Sequence, residues 1–209
     1  MARRQTEARS EQAERLSKRD WIDAALRQLG EGGVARVRIE VLARTLGVTK
    51  GSFYWHFKDR DALLAEMLRH WQHTLTSAIG SFVRTKIEDP RERLAFMLKL
   101  ATADRPDVPG GPIEHALREW ARSSDVAKRA LSEVDTERLS IMSDLYADLG
   151  MSRPKAAAAA LMALSHIIGV NVIHRETGLQ ALRAQRETCL EFLLTLPELA
   201  KSRPIANGN

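Results

Sequence analysis

The chain has 209 residues, 44% hydrophobic and 28% charged, with a formal net charge of +5. That is enough apolar material for one domain or two small ones, and charge or histidine interrupts every apolar stretch before it reaches the ~20 residues a spanning helix needs. The N-terminal residues are basic with no apolar run behind them, and Cys189 is the single cysteine. No secretory leader, internal disulfide or cysteine metal cluster is therefore expected, and the expected location is the cytoplasm with no membrane partner.

The excess positive charge is localised. Residues 1–58 hold 12 Lys+Arg against 7 Asp+Glu, whereas residues 59–209 hold 20 of each. A basic segment joined to a neutral body suits a polyanion-binding module attached to a second function.

Apolar positions recur at helical spacing throughout and alternating runs are absent, so the fold class is all-α. Trp21, Ile22, Ala25, Leu26 and Leu29 form the first stripe, with Ser17 and Asp20 as cap and Gly30, Gly32 and Gly33 as stop. Short helices follow over roughly Ile39–Leu46 and Lys50–Phe57, and a long one starts near Asp59, an acidic residue suited to a helix N-terminus. Pro90 opens the next helix, residues 105–112 read as a loop, and further helices cover 113–123, about Ser124–Leu149, about 153–177 and about Leu182–Leu196. The organisation expected is a basic arm over 1–16, a three-helix domain over 17–60, a larger helical body over 61–198, and a tail over 199–209.

The stretch Ile39–Arg60 carries the functional signal. Two short helical patterns flank Gly47-Val48-Thr49, with Ala43 one turn before the glycine. A helix-turn-helix needs a small residue at the crossing, a glycine free to take positive φ, and an apolar seam, here Leu42, Leu46, Val48, Phe53 and Phe57. Thr49 is placed to cap the second helix, whose N-terminus favours anions. On that helix Lys50 offers a phosphate contact, Gly51 close approach, Ser52 a hydroxyl, and Tyr54, Trp55 and His56 polar tips on flat rings; together they suit double-stranded DNA. The same spacing also fits an ordinary helical hairpin with Tyr54 and Trp55 partly in the core.

The segment VTKGSFYWHFKDRDALL resembles the signature of the TetR family of transcriptional regulators, and the likeness extends over about residues 17–70. The resemblance implies DNA contacts from Thr49, Lys50, Gly51, Ser52, Tyr54 and His56, with Arg60 near the DNA backbone. Many members have Thr-Thr where this chain has Val37-Arg38, so a threonine cap is lost there and Arg38 becomes a phosphate contact. The resemblance further implies a repressor that binds a palindromic operator as a homodimer, pairs its last two helices with those of a second copy, and is released by a small-molecule effector.

Two faces fit such a dimer: Leu161, Leu164, Ile168 and Val172 with Ala157 and Ala160, and Leu190, Leu193 and Leu194. They would equally close the core of one chain. Met67, Trp71, Leu75, Phe96, Leu100, Trp120, Met142 and Tyr146 are the candidate effector-pocket residues, because thioethers and large rings line adaptable cavities. Glu66, His70 and His73 share one helical face but lack a fourth ligand, so no metal, cofactor or catalytic residue is assigned and the chain reads as no enzyme. The rivals are an all-α protein-interaction module and a small metal enzyme built on those three residues.

Overall fold

The computed structural model describes residues 16–74, 78–102, 110–172 and 179–202. Every regular element among them is helical: α1 (Lys18–Gly32), a 3₁₀ turn (Val34–Arg36), α2 (Ile39–Thr45), α3 (Lys50–Phe53), α4 (Arg60–Gln72), α5 (Ala78–Lys86), α6 (Pro90–Thr102), α7 (Gly110–Trp120), α8 (Asp125–Asp148), α9 (Arg153–Val172) and α10 (Leu179–Ser202). None of these helices is long and apolar enough to cross a membrane. The chain divides into two compact units, one from Met1–Thr74 with Arg105–Ser132, the other from Leu75–Asp104 with Glu133–Asn209.

In the first unit, α1 begins with a reciprocal cap. The Asp20 N–H donates to Ser17 Oγ, and the Ser17 N–H donates to Asp20 Oδ2 at 2.7 Å. The Ser17 hydroxyl and N–H bonds hold the Asp20 carboxyl below the ordinary carboxylate range. The stripe Trp21, Ile22, Ala24, Ala25 and Leu29 is buried, each large member contributing roughly 1.5–3 kcal/mol of apolar burial. The helix runs through Gly30 and Gly32 and ends at Gly33, whose φ of 74° lets its N–H return to the Leu29 carbonyl at 2.8 Å. Gly30 serves packing instead: a Cβ there would stand 3.1 Å from Ile113 Cγ1 on α7. Gly110, Gly111 and Pro112, expected in a loop, form the first turn of α7, where a proline N–H is not missed.

The second unit is built on Val83, Leu94, Leu98, Met142, Leu145 and Tyr146, closed by the alanine face Ala156, Ala159, Ala160 and Ala163 of α9. Small residues let α9 approach its neighbours closely. Tyr146 Oη donates to the Leu193 carbonyl at 3.2 Å, tying α8 to α10. Burial pushes its phenol up to about 12. Lys155 Nζ donates to the Ala200 carbonyl and Arg91 pairs with Glu198, so α10 continues through Pro197 to Ser202 rather than stopping at Leu196. The expected tail thus loses residues 199–202 to α10; its remainder, and the arm over 1–15, lie outside the described residues. The single long helix expected after Asp59 is also corrected, because α5 is a separate element.

Candidate nucleic-acid interface

The helix-turn-helix forms from α2 and α3. Gly47 has φ 73° in the turn between them, and the Val48 N–H donates to the Ala43 carbonyl at 2.9 Å. Such a φ is nearly free for glycine and strained for other residues. Leu42, Val48, Phe53 and Phe57 are buried, with Phe53 edge-on to Trp21 at 5.3 Å and stacked on Phe57 at 5.3 Å. The aromatic wedge thereby holds α3 against α1. The helix itself is shorter than the spacing suggests: it stops at Phe53, and the chain turns over Tyr54–His56.

The side chains expected to meet DNA fall into two sets. Thr49, Lys50, Gly51, Tyr54 and Trp55 are exposed, the two aromatics at 56% and 68%. A hairpin with both rings in its core is therefore not what this chain forms. Lys50 Nζ lies 2.5 Å from Glu40 Oε1 across the motif. That contact holds the Glu40 carboxyl below and the Lys50 ammonium above its ordinary range. Arg38 is exposed at the N-cap of α2 without a side-chain capping bond, as the loss of threonine there implies. His56 is half-buried, 6.5 Å from the Trp21 ring, with Nε2 shielded from solvent and without a hydrogen-bond partner.

Three expectations are corrected. Ser52 is 2% exposed and its Oγ points inward with no partner, because its position on the single turn of α3 faces the core beside Phe53. Thr49 occupies the N-cap of α3 but makes no side-chain capping bond. Arg60 is half-buried and engaged within the protein: Nε donates to the Val37 carbonyl at 2.6 Å and Nη2 to the Val34 carbonyl at 2.7 Å. Those are carbonyls of the irregular backbone between α1 and α2, so the guanidinium braces the connection leading into the motif. No periodicity in the sequence marks that role, since it joins residues 23 and 26 positions apart.

A family model described as bacterial regulatory proteins, tetR family, matches residues 22–67. The HTH-type transcriptional regulator BetI of Burkholderia ambifaria is 30% identical over 148 residues, covering 68% of this chain and 75% of that protein. The chain belongs to the TetR family of DNA-binding transcriptional regulators. BetI of Ectopseudomonas mendocina is 33% identical over 120 residues, which is 56% of this chain and 61% of that relative. A transcriptional regulator from Saccharomonospora viridis, solved in complex with choline, shares this chain's fold at TM-score 0.69 and 17% identity, with 83% of this chain and 95% of that one covered.

The candidate effector residues are dispersed. Met67, Trp71 and Trp120 belong to the first unit, the first two buried and Trp120 half-buried, whereas Phe96, Leu100, Met142 and Tyr146 belong to the second. Met142 and Tyr146 are packed within its core, with Phe96 against it. Leu75 lies outside the described residues. The candidate dimer faces also divide: Leu164, Leu190 and Leu193 are buried in the second unit's own core and Ile168 packs against it, while Leu161 and Val172 are exposed. Met162, Phe192 and Leu199 are exposed as well and were not expected from the stripe. Glu66 accepts from Lys18 and Arg69, and His70 Nε2 lies 3.1 Å from Thr74 Oγ1. Among the described residues no three His, Cys, Asp or Glu side chains stand together to hold a metal.

Proposed function

We propose that this regulator acts in the cytoplasm as a homodimeric repressor, reading an inverted-repeat operator through Thr49, Lys50, Gly51, Tyr54 and Trp55, with Arg38 and His56 on flanking phosphates. The exposure of Tyr54 and Trp55 beside Lys50, at the end of a turn held by Gly47, carries this reading. Flat rings this exposed are costly to leave in water unless a partner covers them. The division expected from the sequence goes with it: residues 17–60 bind DNA, and residues 61–198 respond to a small effector and form the dimer. The choline held by the Saccharomonospora viridis protein, which shares this fold, supports a small-molecule effector for this chain. Such an effector weakens DNA binding by its differential affinity for the state with mis-spaced reading heads.

Selection of duplexes from a random pool tests this directly. The expected product is an inverted repeat with half-sites about one duplex turn, ~34–36 Å, apart. Inserting about five base pairs between them, roughly half a turn, should abolish two-headed binding. Recovery of single, unpaired sites that tolerate the insertion would overturn the dimeric reading.

A further inference from the structure

Two neighbouring rings of the first unit each bury a polar atom without a hydrogen-bond partner. Trp21 on α1 is 0% exposed, and its Nε1–H meets no acceptor. His56, in the turn after α3, has its ring centroid 6.5 Å from that indole at a tilt of 45°, and its Nε2 is likewise shielded and unpartnered. The place of the imidazole is set by the backbone, because the His56 N–H donates to the Phe53 carbonyl at 3.0 Å and the Phe53 ring lies edge-on to Trp21 at 5.3 Å.

An indole N–H can only donate, whereas an imidazole nitrogen accepts when the ring's proton sits on the other nitrogen. A proton on Nε2 would put a second buried donor beside the first, with an acceptor for neither. A bare Nε2 is the complement that Trp21 lacks.

We propose that Trp21 is a positioning residue for DNA: its Nε1–H pairs with His56 Nε2, which holds the proton of the uncharged imidazole on Nδ1 and presents that N–H to a phosphate oxygen. The pair is open in the free chain. A phosphate on Nδ1–H makes Nε2 a better acceptor, so DNA closes it. The contact rests on the reading above that His56 meets a phosphate; the state of the ring in the free protein does not.

Proton–nitrogen correlation spectra of the free full-length protein at about pH 8.5, where an ordinary imidazole is uncharged, should show His56 protonated on Nδ1, the reverse of the form that prevails in water. Adding the duplex selected from the random pool should move the Trp21 indole proton downfield as its bond forms. His56→Gln, whose amide nitrogen takes the place of Nε2, should weaken binding about tenfold, whereas His56→Asn, which sets its nitrogen near Nδ1, should weaken it only about threefold. Trp21→Phe keeps a ring against Phe53 and removes the donor, so in its folded fraction the proton should shift towards Nε2. Ser52→Ala removes the other buried unpartnered group beside Phe53 and should leave the His56 spectrum as it is.

A proton on Nε2 in the free protein would overturn the proposal, as would a folded Trp21→Phe protein with the His56 spectrum unchanged, or a change caused by Ser52→Ala instead. Equal losses for His56→Asn and His56→Gln would overturn the contact through Nδ1. If no duplex is selected at all, the operator reading fails by itself, and the free-protein spectrum still decides the state of the ring.

Discussion

Arg60 and Glu40 show how neighbouring charges in one motif take different tasks. The Arg60 guanidinium donates to two backbone carbonyls, and removing it takes that charged donor from the Val37 carbonyl and leaves the Val34 carbonyl with the Val37 N–H alone. Arg60→Leu should therefore lower unfolding stability by about 2–4 kcal/mol, measured by urea denaturation, on the usual worth of hydrogen bonds to a charged group. Its effect on DNA should follow from that lost stability, with the selected sequences unchanged. Glu40 acts on the reading face itself, holding Lys50 at 2.5 Å in the free protein. Glu40→Gln should free the ammonium for a phosphate, raising affinity about two- to five-fold on all duplexes and steepening the salt dependence by up to ~0.9 in log–log slope. Fluorescence anisotropy across a salt series checks this; an unchanged slope would show that Lys50 does not reach the backbone. Ser52→Ala, with its hydroxyl already buried, should leave the selected operator as it is.

At the scale of elements, helix positions came from periodicity and caps, while helix lengths depended on neighbours. The Ser17–Asp20 cap, the Asp59 cap and the start at Pro90 are local chemistry and were legible. The early stop of α3 and the extension of α10 were not, because the first follows from an aromatic wedge against α1 and the second from Lys155 and Arg91 reaching the end of α10. Close packing gives a test of the α1–α7 contact: Gly30→Leu would press on Ile113 and should cost about 1–3 kcal/mol, as overpacking does. Tyr146 gives a pH test of the α8–α10 tie. Its folded value of about 12 lies above the ordinary 10.0, so the folded protein holds this proton more tightly. The stabilisation is complete below pH 10 and is lost as pH rises towards 12. Tyr146→Phe should remove that component of the alkaline loss in thermal melts, while giving up the bond to the Leu193 carbonyl.

For the whole molecule, the division of α9 and α10 into buried and exposed positions sets the dimer prediction. Leu161 and Phe192 are 57% and 65% exposed, whereas Leu164 and Leu193 sit in the second unit's core. The double variant Leu161→Asp, Phe192→Asp should be a folded monomer in sedimentation with weakened operator binding. Leu164→Asp or Leu193→Asp should instead unfold the protein, since an unpaired charge in an apolar core costs several kcal/mol. A Leu161→Asp, Phe192→Asp protein that stays dimeric would move the interface to another surface.

By itself the sequence determined the all-α class, the helix-turn-helix at Gly47 and the family, because each rests on periods, caps and a positive-φ turn confined to a few adjacent residues. Tertiary structure alone decided that Ser52 faces inward, that Arg60 bonds the Val34 and Val37 carbonyls, and that α9 buries Leu164 while exposing Leu161. Those outcomes depend on which side of a helix meets a partner distant along the chain, and an amphipathic stripe broad enough for two partners does not say which residues each one takes.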